Sequence, residues 1–130
     1  AWLAGIALGS AGMALHHKLC HTLGSTWNLP HAETHAIILP HAARYNRDAA
    51  PEAMARIARA LAAQDAPTGL YELEMKLGLK MRLADLGMKA ADLDRAADLA
   101  PRSPYPNPAP IERTAVRALL ESAYTGRRPA

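Results

Sequence analysis

The chain opens with an apolar run from Ala1 to Leu15 that has no polar face, and His16, His17 and Lys18 follow it directly. A helix apolar all round is a buried helix. The pattern therefore predicts a first helix from near Ala1 to Leu23, stopped at Gly24, a residue type that readily takes the left-handed conformation of a helix end. The run has only about 15 residues where a membrane span needs about 20, and no basic residues precede it, so it reads as core rather than as a membrane or secretion segment. No capping residue or initiator methionine stands before it, so the chain reads as a fragment that begins inside an element.

A short loop, Ser25 to Leu29, leads to Pro30 at the start of a second helix. Pro40 is expected to bend or interrupt that helix before Tyr45 and Asn46. In 51–63, Met54, Ile57, Ala58 and Leu61 fall on one stripe of a third helix, away from Glu52, Arg56 and Arg59. Leu70, Leu73 and Leu77 mark a fourth ended by Gly78, and Met81 to Leu86 a short fifth ended by Gly87. Asp92 to Leu99 forms a sixth, with Leu93, Ala96, Ala97 and Ala100 inward. Five prolines between Pro101 and Pro110 remove backbone donors and predict an extended connector. A last helix starts at Pro110, presents Ala115, Val116, Leu119 and Leu120, and ends by Gly126.

Composition agrees with an all-α fold. Half of the 130 residues are hydrophobic, there is no phenylalanine, and valine occurs only at Val116, so strand-favouring residues are scarce. A chain of this length buries roughly two thirds of its unfolded surface, enough for one core. The expected organisation is one helical domain: histidine-bearing helices at 1–46, scaffold helices at 47–100, the connector at 101–110, and a closing helix and tail at 111–130. The net charge of +3 comes from scattered residues, without the basic face that nucleic acid binding needs. The single cysteine, Cys20, cannot form an internal disulfide; it suits a small core residue in a reducing compartment, with the cytoplasm as default. No Gly-rich strand-to-helix turn is present to cradle a dinucleotide's phosphates.

All six histidines lie between His16 and His41. His17 and His21 are four residues apart, which on a helix puts both imidazoles on one face, and His31 and His35 repeat the spacing. A turn between antiparallel helices brings His31 opposite His17 and His21. Neutral imidazoles so placed hold a first-row metal, or one of them donates a proton near neutral pH. Spacing alone leaves three readings open: a polar active pocket, a structural metal site, or plain scaffold with backbone-bonded histidines. His16, turned about 100 degrees from His17, and His41, after Pro40, read as structural.

The segments Gly12-Met13-Ala14-Leu15-His16-His17-Lys18-Leu19-Cys20-His21-Thr22-Leu23-Gly24 and Leu29-Pro30-His31-Ala32-Glu33-Thr34-His35 resemble the C-terminal domain of the maleylacetate reductase branch of the iron-containing alcohol dehydrogenase family. Leu39-Pro40-His41, Asp94-Arg95-Ala96-Ala97 and Asn107-Pro108-Ala109-Pro110-Ile111-Glu112-Arg113 extend the resemblance along the chain. It implies a dehydroquinate-synthase-like enzyme whose N-terminal α/β nucleotide-binding domain is absent here, with the active site between the two domains and a homodimer as the expected assembly. In metal-dependent members, the positions matching His17 and His31 are metal ligands and the one matching His21 is a catalytic histidine near the nicotinamide. The residues around them here have the reductase-branch form. In that branch an aspartate ligand elsewhere in the protein is commonly replaced by asparagine, which removes a charge and counts against bound iron or zinc.

The activity so implied is reduction of maleylacetate by NADH or NADPH to 3-oxoadipate, in the breakdown of aromatic compounds. His21 is the candidate catalytic residue, donating a proton or stabilising an enolate. His17 and His31 are the candidate substrate ligands, or metal ligands if a metal is bound. Lys18 is a lesser candidate for added positive charge, Glu33 for capping its helix, and Trp27 for lining the cleft or packing. Two rivals stand: an iron- or zinc-dependent alcohol dehydrogenase of the same family, and a non-catalytic helical module that binds metal or a partner through its histidines. The fragment by itself is expected to be inactive.

Overall fold

Leu15, Leu19 and Leu23 recur every fourth residue, so on a helix they form one stripe, and all three are fully buried. This stripe fixes the seat of helix α1 (Leu15–Trp27). The computed structural model describes residues 2–3, 13–102 and 104–130. Most of the apolar run expected to open the first helix, residues 1 and 4–12, lies outside them. Gly24 does not end α1, as the sequence suggested. The helix runs on to Trp27, and Asn28 makes the left-handed turn at φ 54°, a conformation that asparagine tolerates better than most residues. The expected loop accordingly shrinks to 28–30.

Helix α2 (His31–Asn46) follows at once and runs uninterrupted through Pro40. Of the bend or interruption expected there, the interruption does not occur. Pro40 is fully buried, so packing around its ring offsets the lost N–H bond. Helix α2 is the central element, in contact with α1, with α4 (Ala66–Lys76) and with α6 (Arg113–Thr125). Helix α3 (Pro51–Ala60) half-buries Met54 and Ile57 and buries Ala58, as its stripe predicts.

Helix α4 differs from expectation. Asp65 caps it, its carboxylate accepting from the Thr68 N–H at 3.3 Å, but the stripe expected to face inward turns out after half-buried Leu70: Leu73 is 42% and Leu77 65% exposed. Its inward face is instead Ala66, Pro67, Gly69, Tyr71 and Glu74. Close approach explains the choice, since a Cβ at Gly69 would sit 2.6 Å from the Ala63 Cβ. The Tyr71 hydroxyl also donates to the Gly126 carbonyl at 2.8 Å.

The predicted fifth helix is a 3-10 turn, Leu83–Leu86, ended by left-handed Gly87. A second 3-10 turn, Ala90–Asp92, leads into α5 (Leu93–Leu99). Leu93, Ala96, Ala97 and Ala100 are all buried, as expected. Helix α6 buries Val116, Leu119, Leu120 and Ala123 and stops at Gly126, φ 71°. The core thus joins α1, α2, α5, α6 and the turn at Leu83 through leucines, isoleucines and small alanines. Among the described residues there is no strand, and no helix is long and apolar enough to cross a membrane.

No helix forms among the described residues between α5 and α6. Asn107 secures this proline-rich stretch. Its amide donates to the Asn46 side chain and to the Ala109 carbonyl, each at 2.7 Å, while its side-chain oxygen accepts from Asn46 at 3.1 Å and from the Leu15 N–H at 3.3 Å. One asparagine therefore ties the connector to the start of α1 and the end of α2.

Candidate functional site

The three-residue turn at 28–30 folds α2 back against α1 and brings histidines from both helices together. The ring centroids of His21 and His31 lie 6.4 Å apart. His31 and His35 are 4.1 Å apart, and His17 lies 5.1 Å from His35, edge to face. Of the three histidines expected to converge, His21 and His31 face each other, and His17 joins them through His35, whose ring neighbours both His17 and His31. His16 joins it despite its rotation along the helix: its ring is 5.3 Å from that of His17 and 5.0 Å from that of His35, and its Nε2 meets the His35 carbonyl at 2.9 Å. His41 stays apart, buried at 4% exposure.

Burial divides the cluster. His21 and His31 are exposed, whereas His16, His17 and His35 are half-buried. Burial, reinforced by repulsion from His16, His31, His17 and His21, pushes the His35 imidazole down to about 4. Burial also holds His16 below the ordinary histidine value, against the opposing pull of its backbone bond. Burial thus disfavours the charged form of both inner rings, His16 and His35.

A cleft of about 530 Å³ opens beside the outer pair, lined by His21 and His31 with Lys18, Thr22, Ser25 and Tyr105 among others. Lys18 Nζ lies 6.0 Å from the centre of the Tyr105 ring, so a cation stands at this wall. Tyr105 escaped the sequence reading. It sits in the proline-rich connector, more than eighty positions from the histidines that open α1, and nothing local marks it. Its hydroxyl is buried without a hydrogen-bond partner. Trp27 packs against the core and takes Arg95 at 5.9 Å over its ring, a packing role. Glu33 lies in the first turn of α2, where its charge suits the positive end of the helix.

In the metal-dependent members that the sequence resembles, the positions of His17 and His31 hold the metal, whereas the reductase-branch form found here counts against one. Among the described residues, the group of three donors close enough to share one ion is His16, Cys20 and His35, and it contains neither of those two. The residues of this chain do not by themselves form an iron site at His17 and His31.

The model of the Fe-containing alcohol dehydrogenase family, C-terminal, matches residues 1–124. A maleylacetate reductase of Burkholderia cepacia is 57% identical over 129 residues, which cover 99% of this chain and 37% of that protein. One of Rhodococcus opacus is 51% identical over 128 residues, 98% of this chain and 36% of that protein. The crystal structure of maleylacetate reductase from Agrobacterium tumefaciens superposes with TM-score 0.94 at 51% identity, covering 98% of this chain and 36% of that one. That of an iron-containing alcohol dehydrogenase from Corynebacterium glutamicum gives 0.90 at 43% identity, covering 99% and 36%. The chain thus spans little more than a third of the length of the relatives it matches. With its helical fold, its histidine hairpin and this match over nearly its whole length, the chain belongs to the iron-containing alcohol dehydrogenase family and corresponds to the family's C-terminal region.

Proposed function

We propose that this chain is the helical, active-site-completing part of an NADH- or NADPH-dependent reductase that converts maleylacetate to 3-oxoadipate. The observation that carries the reading is the placement of His21 and His31, from two helices, on one cleft wall in a chain 57% identical to a maleylacetate reductase. The nicotinamide supplies the hydride when bound, and the nucleotide is assigned to the part of the enzyme beyond this chain, which spans 37% of the length of the Burkholderia cepacia reductase.

The double bond of maleylacetate is conjugated to a carbonyl, so hydride addition develops enolate charge and a proton must then reach carbon. His21, exposed on the cleft wall, donates that proton or a hydrogen bond to the enolate oxygen. His31 and His17 hold the carboxylates, and Lys18 adds positive charge for a dianionic substrate. His35 and His16, disfavoured by burial from taking up charge, fix the ring orientations behind them. Helices within 1–46 thus carry the chemistry, 47–100 the scaffold, 101–110 a connector that closes the cleft with Tyr105, and 111–130 the closing helix and tail. A cytoplasmic homodimer fits this reading.

The rival within the family is a metal-dependent alcohol dehydrogenase. NADH and NADPH oxidation by the full-length enzyme, assayed with maleylacetate and with the oxidised forms of simple alcohols, separates the two. The expected result is maleylacetate-dependent turnover unaffected by a chelator. Turnover confined to simple alcohols and their carbonyl products, and abolished by the chelator, contradicts the proposal.

A further inference from the structure

Behind the outer histidines lies a second constellation with different chemistry. His16 and Cys20 are one helical turn apart on α1, and His35 faces them from α2. One ring nitrogen of each histidine and the Cys20 sulfur all lie within 4.8 Å of one another. Donors around a single tetrahedral zinc, at about 2.0–2.3 Å from the ion, stand roughly 3.3–3.8 Å apart. The three side chains need to close by about an ångström to share an ion, a distance within reach of small rotamer adjustments.

Three further observations point to a ligand here. His35 Nε2 is buried and has no hydrogen-bond partner, an orphan that ordinarily costs about 1–3 kcal/mol and calls for an explanation. The His16 Nε2 meets the His35 carbonyl at 2.9 Å; when that nitrogen carries the proton it donates to the carbonyl, and Nδ1 keeps its lone pair. A ring N–H on a backbone carbonyl is the outer support that metal-bound histidines usually have. The Cys20 sulfur, 2% exposed, has only a 3.9 Å contact with the Thr34 carbonyl, too weak to occupy it.

We infer that His16, Cys20 and His35 form a binding site for a thiophilic first-row metal ion of the zinc class, distinct from the His17 and His31 positions and tying α1 to α2. Two imidazoles and one thiolate are borderline-soft donors that favour zinc over calcium or magnesium. Three protein donors leave a fourth position for water. Burial raises the Cys20 thiol to about 12, so the free site holds a thiol. Binding breaks the S–H bond, forms the sulfur–metal bond and releases one proton to solvent.

Cobalt(II) titration of the purified, metal-stripped protein tests the site, because a thiolate bound to cobalt gives a near-ultraviolet charge-transfer band that imidazoles alone do not. The expected result is such a band, saturating at one cobalt per chain and removed by equimolar zinc. It disappears in Cys20→Ser and persists in His17→Ala and His31→Ala. His35→Asn weakens binding by more than the roughly 10- to 100-fold that loss of an outer hydrogen bond costs. Because His35 is only half-buried, this substitution still tests the site if Cys20→Ser fails to fold. Absence of the band in the native protein, its survival in Cys20→Ser, or unchanged affinity in His35→Asn overturns the inference. None of these readouts depends on turnover, so they stand apart from the proposed reductase activity.

Discussion

Individual side chains in this domain are set apart by how much water they keep. His41 is buried at 4% exposure, and burial pushes its imidazole down to about 4 from the ordinary 6.5. The unfolded chain protonates this histidine near pH 6.5 and the folded one only near pH 4. Between those values the unfolded state binds more protons, so stability is intact above about pH 6.5 and is lost as pH falls towards 4. The loss reaches up to about 3 kcal/mol, from 1.36 kcal/mol for each pKa unit. Chemical denaturation from pH 7.5 to 4.5 should show this decline, and His41→Gln should flatten it; an unchanged slope in the variant would place the pH response elsewhere. His35 responds in the same direction, but its depression owes part to the four other histidines around it. Its titration reports the cluster as a whole.

Elements are positioned by a few polar anchors as much as by the apolar stripes. Asn107→Ala removes the side chain that ties the connector to both α1 and α2. The change should cost about 1–3 kcal/mol, because Asn46 and the Leu15 N–H lose their partner. Thermal unfolding measures the cost, and protease cleavage near the prolines should rise; a variant as stable and as resistant as the native chain would show the anchor to be redundant. The helices that place the site were legible in the sequence because the apolar run leading into His16 predicts a buried helix through Leu23, because Pro30 marks the start of the next, and because His17/His21 and His31/His35 are each four apart. What was not legible depends on partners distant along the chain. Nothing near Leu73 and Leu77 says that Gly69 and Tyr71 will take the inward face, since that follows from the close approach of Ala63 and the carbonyl of Gly126. Gly24 looked like a helix stop, but Asn28 four residues later takes the left-handed turn. Pro40 looked like a break, and its burial holds the helix through it. Tyr105 enters the cleft wall only once the connector is folded across α1.

For the whole molecule, the proposed function has the helical domain supply one wall of the active site, with His21 and His31 exposed on the cleft and with His16 and His35 behind them, disfavoured by burial from taking up charge. That division suits a reaction in which a proton must come from a solvent-accessible imidazole. The central claim is that His21 delivers this proton or the equivalent hydrogen bond. It is tested most directly by the kcat for maleylacetate of the full-length enzyme and of its His21→Ala variant, with folding checked by thermal unfolding. The account predicts a folded variant whose kcat falls by about 10²- to 10⁴-fold, the usual worth of a general acid, with the pH dependence of the residual rate flattened. A folded His21→Ala enzyme with near-native kcat would contradict it.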